Sequence, residues 1–219
     1  MKQPFVDSPV GVTLVAGGPV LRRDFSLARR FAPRVVAADG GADHVLAMGA
    51  EPEAVIGDMD SISPEAAARL EGRLHRVPEQ ESTDFDKALG HIAAPFVLAL
   101  GCLGGRVDHE LAVFSGLLRP DTPVCLLLGR EDLVFVAPPR LDLDLQAGDR
   151  VSLYPLVAMQ GQSHGLRWPI DGLAFAPDRR IGTSNMAEGS VRLEFEARGM
   201  LVILPRARLG VALRGMGLI

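Results

Sequence analysis

Between Arg34 and Ser61 the chain lays down two successive strand-acid-turn units, and this succession constrains the fold more than any other stretch. Arg34-Val35-Val36-Ala37-Ala38 ends in Asp39-Gly40-Gly41 and opens a helix from about Ala42 to Met48, closed by Gly49. Ala54-Val55-Ile56 then ends in Gly57-Asp58-Met59-Asp60-Ser61, and Ser63 caps a helix whose first residue is Pro64. Unbroken apolar runs alternating with helices are the signature of βαβ crossovers, so the alternation predicts a parallel sheet. Ligands of open α/β sheets bind outside the carboxyl ends of the strands, which is where Asp39, Asp58 and Asp60 are delivered. Alternate residues leaving a strand can converge once the chain turns, and close carboxylates repel unless a cation lies between them. Asp58 and Asp60 therefore point to a Mg²⁺ site, with a solvated acidic turn as the alternative.

The remaining strand ends of this half carry related chemistry. Val10 to Ala16 reads as a strand that stops at Gly17-Gly18-Pro19, and Asp24 is placed to cap the next helix. After a short strand at Leu74-His75-Arg76-Val77 come Gln80-Glu81-Ser82-Thr83-Asp84-Phe85-Asp86-Lys87. Thr83 or Ser82 is a natural cap, which puts Asp84 and Lys87 on one face of the first helical turn. Pro95 to Leu100 is a further strand, followed by Gly104-Gly105-Arg106-Val107-Asp108-His109. Arg106 offers a forked donor suited to phosphate oxygens, while Asp108 either joins it or caps the helix running to Leu118. No Gly-x-Gly-x-x-Gly and no Gly-x-x-x-x-Gly-Lys-Ser/Thr is present.

Beyond Pro138-Pro139 the period changes to two, as in Leu141-Asp142-Leu143-Asp144-Leu145 and Val191-Arg192-Leu193-Glu194-Phe195-Glu196. Short alternating runs broken by Gly, Pro and Asp predict an antiparallel sandwich. The fold expected is thus a parallel-sheet, three-layer α/β domain over residues 1–137 followed by an all-β sandwich over 138–219. In the second part Gly182-Thr183-Ser184-Asn185 reads as a polar loop, and Trp168, the single tryptophan, offers an indole that such a loop can orient for stacking. The glycines and apolar residues from Gly210 to Ile219 read as an edge strand seeking a partner. A net charge of −4 gives no basic field for nucleic acid, so anionic ligands must be met locally. Cys102 and Cys125 lie within apolar runs and read as buried thiols of a reducing compartment. The amino-terminal residues lack a signal-peptide core, and no apolar run approaches a bilayer span, so a cytoplasmic protein without a membrane partner is expected.

Carboxylates, one lysine and one arginine gathered at a common sheet edge are what Mg²⁺-assisted transfer from a nucleoside triphosphate requires. A metal-dependent nucleotide-sugar transferase and a non-catalytic sensor that keeps the pocket are the rival readings. Asp39-Gly40-Gly41-Ala42, Gly57 to Ser61, Ser82 to Leu89 and Gly104 to His109, in this order and spacing, resemble the thiamine pyrophosphokinase family, and Gly182 to Asn185 is similar to that family's thiamine-binding segment. The resemblance implies diphosphoryl transfer from ATP to the hydroxyl of thiamine, giving thiamine diphosphate and AMP, in a homodimer whose sites lie between subunits. Carried over by motif position, it implies that Asp58, Asp60 and Asp84 bind Mg²⁺ and that Lys87 and Arg106 neutralise phosphate charge. Asp39, Gln80, Thr83 and Asp108 then accompany ATP, Asp39 contacting either substrate or metal, while Thr183, Ser184, Asn185 and Trp168 face thiamine.

Overall fold

A computed structural model describes residues 3–219; Met1 and Lys2, part of the stretch read for a leader, lie outside the described residues. The chain divides into two compact units, Met1–Arg130 and Glu131–Ile219. The first contains β1 (Val6–Asp7), β2 (Val12–Val15), α1 (Arg22–Phe31), β3 (Arg34–Ala38), α2 (Gly41–Ala47), β4 (Ala54–Gly57), α3 (Pro64–Arg69) and β5 (Leu74–Arg76). It continues through α4 (Asp84–Leu89), β6 (Ile92–Ala93), β7 (Phe96–Leu100), α5 (Val107–Gly116) and β8 (Val124–Leu128).

Its main sheet has the order β5-β4-β3-β2-β7-β8, and every pairing within it is parallel. All but the edge strand β5 are buried almost throughout, which is why they read as apolar runs rather than alternations. The chain steps outward from β2 to β5, then returns to the other flank of β2 with β7 and β8. Right-handed crossovers therefore put α1 to α3 on one face and α4 and α5 on the other. The packing agrees: α2 touches α3, and α4 lies on β3 and β4 and against α5. The reversal between β2 and β7 is the switch point of the sheet, the usual ligand crevice of such folds. A Cβ on Gly41 would fall 2.0 Å from the Val15 carbonyl oxygen, so only glycine lets α2 start this close to β2.

Local details follow the residue types. The Ser63 hydroxyl accepts from the Ala66 amide at 3.1 Å, with Pro64 behind it as the first helical residue. Thr83 and Asp86 form a reciprocal capping box at the start of α4. Asp24 is not a cap: α1 begins one turn earlier, at Arg22 after Leu21, and Asp24 is buried in that first turn beside Arg23. The two-residue β1 and β6 pair with each other in parallel, strands too short to carry a period in the sequence.

The second unit contains β9 (Asp132–Val136), β10 (Arg140–Leu143), β11 (Arg150–Pro155), β12 (Gly161–Leu166), β13 (Gly182–Phe195), β14 (Met200–Pro205) and α6 (Leu209–Gly215). All its strand pairings are antiparallel. The first residues of β13 pair with β11, and its later residues pair with β10 and β12, so one long strand serves two sets of neighbours. Leu141, Leu143, Val191, Leu193 and Phe195 point inward, while Asp142, Arg192 and Glu194 point outward or lie half-buried. β9, whose residues precede the boundary expected near 138, pairs with β14 of this unit.

Two expectations for this unit are corrected. The terminal residues form a helix rather than an edge strand, so the unit is not all-β. Leu209, Ala212 and Leu213 are buried at helical spacing, and a Cβ on Gly215 would meet the Asp142 carbonyl oxygen at 2.2 Å. The segment Gly182 to Asn185 is the start of β13 rather than a loop. It read as a loop because its residues are polar and because the pairing shifts register between Val151 and Leu153, a bulge invisible in the sequence.

Candidate active site

The two strand-acid-turn units converge as their spacing predicts. Asp39 leaves β3 at φ +42°, a left-handed backbone that aspartate tolerates better than most side chains. It is 2% exposed, and its carboxylate accepts from the amides of Ser61 at 3.1 Å and Ile62 at 3.0 Å. These bonds fold the turn after β4 back onto the end of β3. Met59, midway along that turn, has φ +67°, which reverses the chain so that Asp58 and Asp60 share a side. The Asp58 carboxylate accepts from the Asp60 amide at 3.4 Å, and Asp60 accepts from the Ser61 hydroxyl at 2.8 Å. One carboxylate oxygen each from Asp39, Asp58 and Asp60 falls within 4.8 Å of the others.

α4 brings the third contribution. Lys87 is buried, its side chain 1% exposed, and its ammonium donates to Asp58 at 2.8 Å and to Asp84 at 3.2 Å. Asp84 also accepts from the Asp58 amide at 3.4 Å, and the Gln80 side-chain amide donates to Asp58 at 3.3 Å. Gly57 makes this meeting possible, because a Cβ there would stand 2.8 Å from the Asp39 Cβ and 3.1 Å from an Asp84 oxygen. Four carboxylates thus gather at this edge, and two of them, Asp58 and Asp84, are paired with the Lys87 ammonium. Burial pushes the Asp39 carboxyl up to about 6, and the Asp84 and Asp60 charges add to it, against the pull of the Ser61 and Ile62 amides. The Lys87 bond holds Asp58 below the usual carboxylate range. Burial opposes the charge on Lys87, yet its bonds to Asp58 and Asp84 prevail and raise it above an ordinary amine.

The other residues singled out in the sequence have different surroundings. Thr83 is occupied as the α4 cap, its hydroxyl accepting from the Asp86 amide at 3.2 Å. Arg106 and Asp108 pair with each other on the surface, side chains 70% and 62% exposed, through Nε to Oδ1 at 3.1 Å and Nη2 to Oδ2 at 2.6 Å. That pair raises Arg106 and holds Asp108 down at about 2. Asp108 does not cap α5, which starts at Val107 after Arg106.

In the second unit, Ser184 sits at φ +63° beside the β11–β13 bulge, and its amide donates to the Ser152 hydroxyl at 3.0 Å. Backbone strain of this kind collects at functional positions. Asn185 is 8% exposed, and its carboxamide accepts from the Trp168 amide at 3.2 Å and donates to the Trp168 carbonyl at 2.7 Å. Its polar groups thereby orient Trp168, whose ring is half-exposed with the Arg167 guanidinium 5.1 Å from its centroid. Thr183 is exposed on the same strand start.

Sequence reasoning left two contributors unplaced. It set Asp39 against substrate or metal without joining it to Asp58 and Asp60, since the amide bonds that fold the turn onto it join residues 22 and 23 positions apart. It assigned nothing to the β2 turn, where a Cβ on Gly18 would lie 2.4 Å from the Gly101 carbonyl oxygen. The two glycine turns flanking the switch point therefore touch backbone to backbone. Their glycines after strand ends were the available signal.

A carboxylate cluster with one buried ammonium, at the carboxyl edge of a parallel sheet, is the equipment of enzymes that handle polyphosphates with a divalent cation. Residues 27–126 match the family model for the thiamin pyrophosphokinase catalytic domain. The chain is 30% identical to thiamine pyrophosphokinase 3 of Oryza sativa subsp. japonica, covering 72% of this chain and 74% of that protein. It is 28% identical to thiamine pyrophosphokinase 1 of the same organism, covering 73% and 76%. The fold is similar to that of thiamin pyrophosphokinase from Candida albicans, with a TM-score of 0.77, 16% identity and 93% of each chain covered. The chain belongs to the thiamine pyrophosphokinase family.

Proposed function

We propose that this protein transfers the diphosphoryl group of ATP to the hydroxyl of thiamine, forming thiamine diphosphate and AMP. The observation that carries this reading is the buried Lys87 ammonium held between Asp58 and Asp84 beside the three-carboxylate cluster, in a chain of this family. The donor set fits Mg²⁺: hard oxygen ligands from two strand ends converge, and of the three clustered carboxylates only Asp58 is paired with the Lys87 ammonium. Asp58 and Asp60, with Asp39 alongside and Asp84 at the edge, would hold the ion, which when bound supplies charge neutralisation on the polyphosphate.

The remaining work falls to the chain itself. Lys87 keeps Asp58 and Asp84 in place and presents a fixed positive charge to the β-phosphoryl oxygens as AMP leaves. Arg106 turns from Asp108 to the polyphosphate, with Gln80 and Thr83 beside the nucleotide. Asp84 accepts the hydroxyl proton of thiamine as its oxygen attacks the β-phosphorus in line. Ser184, Thr183 and Trp168 are read as the thiamine side, with Asn185 holding the tryptophan backbone. We read the first unit as the nucleotide-binding α/β domain, the second as a β-sandwich that receives thiamine, and the active form as a homodimer in the cytoplasm. The two free, buried thiols support a reducing compartment.

Incubation with ATP, Mg²⁺ and thiamine should yield AMP and thiamine diphosphate in equal amounts. Tight thiamine binding without AMP would overturn the enzymatic reading, and turnover of a sugar nucleotide instead would replace it.

A further inference from the structure

Asp86 has a part that its role as a helix cap does not exhaust. It is 8% exposed, and its Oδ2 accepts from the Thr83 amide at 3.3 Å and from Arg119 Nη2 at 3.0 Å. Its Oδ1 lies 3.0 Å from Arg119 Nε but receives no aligned hydrogen bond from it. A buried carboxylate oxygen with a charge partner and no donor is costly, and Arg119 is what offsets it. Gly116, the last residue of α5, is cut to fit: a Cβ there would fall 2.3 Å from Asp86 Oδ1 and 3.3 Å from the Phe85 ring. Arg119 follows α5 by one turn, so the carboxylate of one helix is gripped by the carboxyl end of another.

The consequence for the site follows from the length of α4. Six residues make too few internal hydrogen bonds to fix a helix by themselves, so tertiary contacts decide where its first turn sits. Asp84 and Lys87 ride on that turn, on either side of Asp86, and the Lys87 amide makes the helix's first bond to the Thr83 carbonyl at 2.9 Å. We propose that Asp86, Arg119 and Gly116 form a clamp between α4 and α5 that positions Lys87 between Asp58 and Asp84 for diphosphoryl transfer. None of the three touches substrate in this assignment; they act through Lys87. The inference rests on the proposed function for its kinetic consequence, and on geometry alone for its coupling.

The full-length chain is compared with Arg119→Met, Arg119→Lys, Gly116→Ala, Asp86→Asn and the double variant Asp86→Asn/Arg119→Met. With ATP, Mg²⁺ and thiamine, Arg119→Met and Gly116→Ala should lower kcat about tenfold or more while KM for thiamine stays within about twofold. Arg119→Lys, which keeps the charge but loses the fork, should fall between. Gly116→Ala is the sharpest variant, because it removes no charge and alanine is the better helix former. In thermal melts the double variant should be no less stable than the weaker of its two parents, as expected of coupled partners.

A kcat within about twofold of the parent in both Arg119→Met and Gly116→Ala, with Tm lowered, would reduce the clamp to a structural tie and overturn the proposal. Additive losses of Tm would overturn it as well, by showing that Asp86 and Arg119 are not coupled. Should Arg119→Met fail to fold, Arg119→Lys and Gly116→Ala carry the test. If the parent protein makes no AMP, the functional reading fails, and the melts still decide the coupling.

Discussion

Two joints of the same parallel sheet carry the same kinds of residue and use them in opposite ways. Around the end of β4, Asp58, Asp84 and Lys87 form a network in which one buried ammonium, its side chain 1% exposed, serves two part-buried carboxylates. At the end of β7, Arg106 and Asp108 pair with each other, Asp108 also accepting from the His109 amide, and both are more than half-exposed. In the first joint the charges are already set against one another before any ligand arrives, which is preorganisation. In the second the guanidinium is held by a partner that solvent can replace, so it is free to turn to an anion at little cost. The difference separates a fixed anchor from a movable one, and it sets the order of effects expected from mutation.

The largest effect is expected at Lys87. Lys87→Met leaves Asp58 and Asp84 facing each other with no cation, and breaking a buried pair in this way costs about 3–5 kcal/mol. AMP production should fall by about a thousandfold, the scale of losing one preorganised charge. Urea unfolding and an AMP assay read the two quantities. Activity within tenfold of the parent would show that the network is not the anchor and that the two joints differ only in burial.

Gly57→Ala comes next and removes no charged group. Its new Cβ would stand 2.8 Å from the Asp39 Cβ, so Asp39 or β4 must shift. Overpacking of this kind costs about 1–3 kcal/mol, and the displaced carboxylates should lower Mg²⁺-stimulated turnover about tenfold or more. An unchanged Mg²⁺ titration would show that Asp39 takes no part in the cluster. At the movable joint, Arg106→Ala should leave Tm unaltered and raise KM for ATP about tenfold with a smaller change in kcat. A loss of kcat as deep as that of Lys87→Met would erase the distinction between the joints.

Much of this was legible because parallel strands are buried on both faces. Val35 to Ala38, Val55-Ile56 and Val97 to Leu100 read as strands without any partner in view, and the glycines after them marked the turns. Asp58, Asp60, Asp84 and Lys87 were legible as residue types at strand ends. What spacing could not show is which charges meet. Asp39 joins the cluster through amides 22 and 23 residues away, and Asp108 pairs with its neighbour Arg106 instead of capping a helix. The carboxyl-terminal helix was misread although Leu209, Ala212 and Leu213 already carried the 3.6 period, since the glycines and apolar residues of this stretch suggested a strand. The start of β13 was misread because a bulge and the left-handed Ser184 depend on pairing with β11, which no local pattern records.

The smallest effect expected is a pH dependence that distinguishes Asp39 from the ordinary carboxylates of the surface. Burial pushes its folded-state value up to about 6 from 3.8, so the folded protein holds the Asp39 proton more tightly than the unfolded chain does. Its contribution to stability is therefore fully present below the unfolded value and is lost as pH rises through the folded one. In metal-free protein, the Tm of the parent relative to Asp39→Asn should rise as pH is lowered from about 7 to about 4.5. Asp58 has the opposite sign, because the Lys87 bond depresses it, and its contribution disappears only as pH falls through that lowered value. Comparing Asp39→Asn with Asp58→Asn over the same range separates the two, since only the Asp39 difference should move there, the Asp58 contribution being lost only below the ordinary carboxylate value of 3.8. Mg²⁺ added near neutral pH should raise the Tm of the parent more than that of Asp39→Asn, since a cation favours the ionised carboxylate that burial disfavours. Equal Mg²⁺ shifts in both proteins, or a parent-to-variant difference that does not move with pH, would show that Asp39 only folds the turn after β4 and contributes no charge to the cluster.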